Sequence, residues 1–107
     1  MKGTYLGEFQ EIVLLTIWIL EENAYGVSIQ NERKQRLNRS VSRGALHTAL
    51  TRLMEKGFVK SEFGAASPKR GGRRKRLYTV TNRGKEALVA ARDLRESFWK
   101  SLPDFSI

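Results

Sequence analysis

The sequence has no cysteine, which excludes disulfide bridges, thiolate metal sites and thiol nucleophiles, and suits a reducing cytoplasm. It has one histidine, His47, with no Asp, Glu or Cys at a metal-ligand or triad spacing beside it. One imidazole cannot hold a zinc ion, so no metal site is expected. Carboxylate pairs, a nucleophile with its base and a phosphate-binding glycine loop are also missing, and the chain reads as neither an enzyme nor a cofactor carrier. Long apolar runs are missing too: Ile12 to Leu20, broken only by Thr16, falls far short of the roughly 20 residues needed to cross a bilayer. Glu8 and Glu11 precede this run, and Glu21, Glu22 and Asn23 follow it, which does not fit a secretory signal. It reads as a helix buried on most of its surface, serving the core, with no membrane partner.

Negative charge is scarce in one interval. The 107 residues carry 20 Lys and Arg against 11 Asp and Glu, a net charge of +9, which points to a nucleic acid or an anionic membrane surface. Between Glu55 and Glu86 the single carboxylate is Glu62, whereas Lys56, Lys60, Lys69, Arg70, Arg73, Arg74, Lys75, Arg76, Arg83 and Lys85 all fall there. Most of them crowd around Gly71 and Gly72 in "SPKRGGRRKRLYTV". Like charges this close repel, so the run costs stability unless solvent, salt or a polyanion neutralises it. A disordered tail, a targeting signal and a loop that meets phosphates all remain open on composition alone.

The order of elements narrows the choice. A first helix spans about Gly7 to Glu22, Asn23 to Gly26 make a turn, and a second short helix runs from Val27 to about Leu37. Arg33 interrupts the apolar stripe of that second helix, which either loosens it or adds a phosphate contact. Ser42 is a suitable N-cap for a third helix on which Leu46, Ala49, Leu50, Leu53 and Met54 share one face, and Gly57 supplies its stop. Alternating residues from Phe58 or Val59 to Phe63 predict a strand, Gly64 to Gly72 a loop, and Arg76 to Val80 a returning strand. Thr81 caps a last helix with a stripe at Leu88, Ala91, Leu94 or Arg95, and Phe98 continuing to Leu102, and Pro103 ends it.

Three helices, a hairpin with a long basic tip and a final helix describe a winged helix-turn-helix, mainly α with a small β-hairpin. The expected organisation is a DNA-binding domain over residues 1–80, with a helix over 81–107 packed on the same domain. The third helix is the expected reader of base edges, through Ser42, Arg43, Gly44, His47, Thr48, Thr51 and Arg52. Several of these are ordinary solvent-facing residues in other helices, and a helix N-terminus can hold a phosphate without reading a base. The wing residues Lys69, Arg70, Arg73, Arg74, Lys75 and Arg76 are the expected phosphate or minor-groove contacts. An RNA-binding or nonspecific basic module shares this fold and stays open at this point, as does a protein-interaction module built on the last helix.

The segments "LGEFQEIVLLTIWIL", "AYGVSI", "VSRGALHTALTRLMEKGFV", "GGRRKRLYTVTNRGKEAL" and "FWKSL" together resemble the PadR-like family of bacterial transcriptional regulators, from about Leu6 to Leu102. The resemblance implies a dimeric, sequence-specific regulator of double-stranded DNA, usually a repressor, with the third helix in the major groove and the wing on the flanking backbone. It also implies a homodimer paired through the last helix, for which Leu88, Ala91, Leu94, Phe98, Trp99 and Leu102 supply a surface; the same stripe could instead fold back on Ile12 to Leu20. His47 stands where tyrosine is frequent in the family, and Arg33 where an apolar residue is usual. The family includes members that bind a small-molecule effector, but no residue here indicates one.

Overall fold

The computed structural model describes residues 6–37, 41–66 and 74–103. Helix α1 (Glu8–Leu20) divides its apolar residues between two surroundings. Val13, Leu14 and Ile17 are buried in the core, whereas Leu15, Trp18 and Ile19 remain 41%, 39% and 50% exposed. The expectation of a helix that serves only the core is therefore corrected. The other elements pack on one side of α1, and a chain this small has too little material to cover the other.

A short 3₁₀ turn (Glu21–Asn23) leads into α2 (Gly26–Leu37). Ser28 secures the start of α2: its Oγ accepts from the Tyr25 backbone N–H at 2.9 Å and its hydroxyl donates to the Asn23 carbonyl at 2.6 Å. Ile29 is fully buried, and Arg33 is buried to 6% exposure. The Arg33 guanidinium lies 4.6 Å from the centroid of the Phe9 ring, so the aromatic face accommodates a charge that the apolar stripe could not. Arg33 therefore packs inside the chain and does not present itself to a phosphate.

Gln30 Nε2 donates to the Val41 carbonyl at 2.9 Å, tying α2 to the turn that precedes α3 (Arg43–Glu55). Ser42 caps α3 by accepting from the Ala45 N–H at 3.1 Å. Leu46, Ala49, Leu50 and Leu53 enter the core, with Met54 partly buried against them. At the far end Gly57 adopts φ +79°, its N–H reaches the Met54 carbonyl at 3.0 Å, and the Phe58 N–H reaches that of Leu53 at 2.9 Å. These two bonds form a Schellman stop, and they deliver Phe58 into the core beside Leu53.

Strands β1 (Val59–Ala66) and β2 (Arg74–Val80) pair antiparallel, with Val59 opposite Val80, Ser61 opposite Tyr78 and Phe63 opposite Arg76. Both strands continue further toward the tip than the alternation predicts, across a register irregularity between Phe63 and Ala66. Backbone pairing needs no apolar alternation once the hairpin has left the core. At the root, the Tyr78 N–H donates to the Ala24 carbonyl at 2.9 Å, which stitches β2 to the segment after α1.

Helix α4 (Asn82–Lys100) is fastened at its start. Thr81 Oγ1 accepts from the Gly84 N–H at 3.0 Å and donates to the Gly57 carbonyl at 2.6 Å, while the Thr81 N–H meets the Phe58 carbonyl at 3.0 Å. Gly84 and Leu88 are the buried residues of α4. Beyond Leu88 the helix is exposed to Lys100 except at half-buried Ala91.

Candidate nucleic-acid interface

The stripe that binds α3 to the core dictates what its other side offers. Arg43, Gly44, His47, Thr48 and Arg52 are exposed, and Thr51 is half-buried. Ser42 is exposed too, but its hydroxyl is already engaged as the cap. Among the described residues no carboxylate forms an ion pair with Arg43 or Arg52. Both guanidiniums therefore remain available to an anion or to a base edge.

Gly44, Thr48 and Arg52 also line a shallow depression of about 510 Å³ whose opposite wall is Gly7 to Gln10 at the start of α1. That wall was not predicted as part of the site. Its position depends on how α1 crosses α3, and Lys56 Nζ fixes one point of the crossing by donating to Gln10 Oε1 at 2.7 Å. No local pattern in the sequence carries this information.

On the hairpin, Lys69, Arg70 and Arg73 lie outside the described residues, as does the side chain of Arg74. The two remaining wing cations are held by neighbours. Lys75 Nζ sits 4.1 Å from the centroid of the Tyr25 ring. Arg76 Nε donates to Ser61 Oγ at 3.0 Å, and its guanidinium lies 5.5 Å from the centroid of the Phe63 ring. Ring faces and a hydroxyl orient these groups without neutralising them, so the hairpin keeps its positive charge. Tyr25 and Phe63 are supports that the sequence pattern did not single out.

The residues expected at a subunit contact fall into two groups. Leu88 is 4% exposed inside the chain's own core and Ala91 is half-buried, whereas Leu94, Phe98, Trp99 and Leu102 are 61%, 68%, 62% and 47% exposed. Among the described residues no cluster of His, Cys, Asp or Glu is placed to hold a metal ion, and no helix is long and apolar enough to cross a membrane.

The fold and this surface can be set beside known proteins. The model of the transcriptional regulator PadR-like family matches residues 14–90. The chain belongs to the PadR-like family. The matched interval covers α3, the hairpin and the buried part of α4, and leaves out the exposed residues from Leu94 onward.

Solved PadR-like structures agree on the winged helix-turn-helix fold. A PadR-like transcription factor from Bacteroides fragilis is similar at 20% identity and a TM-score of 0.73, over 87% of this chain and 84% of that one. A PadR family transcription regulator from Clostridium difficile is similar at 27% identity and a TM-score of 0.62, over 83% of this chain and 91% of that one. Bacillus subtilis PadR, solved in complex with operator DNA, is similar at 20% identity and a TM-score of 0.62, over 89% of this chain and 61% of that one. No curated protein matches the chain. As a PadR-like chain it is classed with transcriptional regulators, and the expected family and fold both hold.

Proposed function

We propose that this PadR-like chain is a sequence-specific double-stranded DNA-binding regulator that represses transcription as a homodimer seated on a palindromic operator. The observation that carries this reading is the outer face of α3, where Arg43, His47, Thr48 and Arg52 stand exposed while Leu46, Ala49, Leu50 and Leu53 hold the helix to the core. Arg43 and Arg52 would address guanine edges or phosphates, and His47 and Thr48 would hydrogen-bond bases or backbone. The hairpin cations would add affinity with little sequence preference. Two copies joined through Leu94, Phe98, Trp99 and Leu102 would set their reading helices about one helical turn apart, so half-sites about 10 base pairs apart are expected. Occupying such a site would exclude other proteins from the same stretch of duplex. That similar Bacillus subtilis PadR was solved on operator DNA supports the reading.

The test is fluorescence-anisotropy binding to a selected duplex pool, to random duplex and to single-stranded RNA across a salt series, with sedimentation of the same sample. A dimer that enriches a palindrome and prefers it by about 10³-fold or more over random duplex is the expected result. A monomer that binds RNA and random DNA equally well would replace this reading with that of a general basic nucleic-acid binder.

A further inference from the structure

Beyond Leu88, α4 is exposed apart from half-buried Ala91, and Ala91, Leu94 and Arg95 face Leu6 and Glu8 across an open cleft. Leu94, Phe98 and Trp99 are all more than half exposed. Among the described residues, the ion pair that joins this distal half to the body is Arg95 with Glu11 of α1. Arg95 Nη1 donates to Glu11 Oε2 at 2.7 Å, and Nη2 lies 2.5 Å from Oε1. The partners come from opposite ends of the chain, 84 residues apart.

The pair is asymmetric. Glu11 is 7% exposed although it is a carboxylate, whereas the Arg95 side chain is 55% exposed. Taking Arg95 away would leave a buried charge without its counter-ion, a costly state, so α4 is held in the position that brings the guanidinium over Glu11. The hydrogen bond from the planar guanidinium to Glu11 Oε2 also fixes direction, which apolar side chains sliding on one another do not.

Direction matters because α4 is a lever. From Leu88 to Lys100 its axis spans about 18 Å at 1.5 Å per residue, so a change of about 10° at the pivot moves the end by about 3 Å. That is close to the rise of one base pair, about 3.4 Å. We infer that the Glu11–Arg95 pair is a positioning device: it fixes the angle at which α4 leaves the DNA-binding body, and so the separation of two reading helices and the half-site spacing that the dimer accepts. This inference rests on the palindrome-binding dimer proposed above.

The experiment compares wild type, Arg95→Ala, Glu11→Gln and Arg95→Lys on the selected site and on versions with one base pair inserted or removed at its centre. Sedimentation and circular dichroism establish that each variant is dimeric and folded. Wild type should lose at least about tenfold in affinity on either altered site, because a base pair both lengthens and rotates the half-site separation. Arg95→Ala and Glu11→Gln should narrow that loss to about threefold or less, and Arg95→Lys, which keeps a cation near Glu11 but not the planar group, should restore only part of it. If Arg95→Ala fails to fold, Glu11→Gln decides, since it keeps the shape of the buried side chain. Folded dimeric variants that discriminate spacing as sharply as wild type would overturn the inference. A wild-type protein indifferent to spacing would instead overturn the palindromic-dimer reading beneath it.

Discussion

Gly84 and Gly44 both lie in the first turn of a helix, but a side chain would meet opposite surroundings at the two positions. A Cβ on Gly84 would fall 2.3 Å from the Phe58 carbonyl oxygen and 2.9 Å from Val80 Cγ1. That carbonyl is fixed by its bond from the Thr81 N–H, so it cannot easily retreat. Gly84→Ala should therefore destabilise the fold by about 1–3 kcal/mol, read from the urea midpoint. At Gly44 nothing lies within 4 Å of an added Cβ. Gly44→Ala should stabilise α3 by about 0.5–1 kcal/mol, because alanine gives up less backbone freedom in a helix. The same methyl group would stand on the face proposed to meet DNA, so thermal stability should rise while operator affinity falls. A variant that gained stability and bound operator as well as wild type would remove Gly44 from the interface.

The elements divide by how local their causes are. Helix α3 was legible from its sequence because the apolar stripe, the Ser42 cap and the Gly57 stop all act within a few residues, as does the Thr81 cap at the start of α4. The exposure of Leu15, Trp18 and Ile19 was not legible, since periodicity reports which residues are apolar and not what covers them. Burial of Arg33 depends on Phe9, 24 positions earlier, and the seating of Lys75 on Tyr25 spans 50. The proposed interface has the same division: the reader residues followed from the α3 stripe, while the Gly7 to Gln10 wall came from helix crossing. The reader and the wing should also separate in binding. Replacing Arg43 or His47 by alanine is expected to weaken operator binding by about 1–3 kcal/mol more than random-duplex binding. Replacing Arg73 and Arg74 together should weaken both DNAs alike and reduce the salt slope by about one unit for each phosphate that is no longer neutralised. Titrations on both DNAs at several salt concentrations distinguish the two patterns.

At the scale of the molecule, large apolar side chains stand exposed in more than one place, and Leu94, Phe98 and Trp99 on the distal turns of α4, with Leu102 just beyond it, form one such group. A contiguous patch of this kind marks a contact surface more often than an ordinary exposed side, and Leu88, on the same helix, is already used by the core. The two positions should therefore fail differently. Leu88→Ala removes a core side chain and should cost about 2–5 kcal/mol of fold stability. Phe98→Glu removes nothing from the core, so circular dichroism should show a folded chain, while sedimentation shows the shift from dimer to monomer. Operator affinity should then drop by about 10²–10⁴-fold, because a linked second half-site acts at high effective concentration and a monomer forgoes it. Binding to an isolated half-site should stay near the wild-type value, since α3 and the hairpin are untouched. If Phe98→Glu remained dimeric, the distal face of α4 would lose its role as the subunit contact. If it became monomeric yet kept full operator affinity, each copy would be reading DNA alone, and pairing would serve something other than site selection.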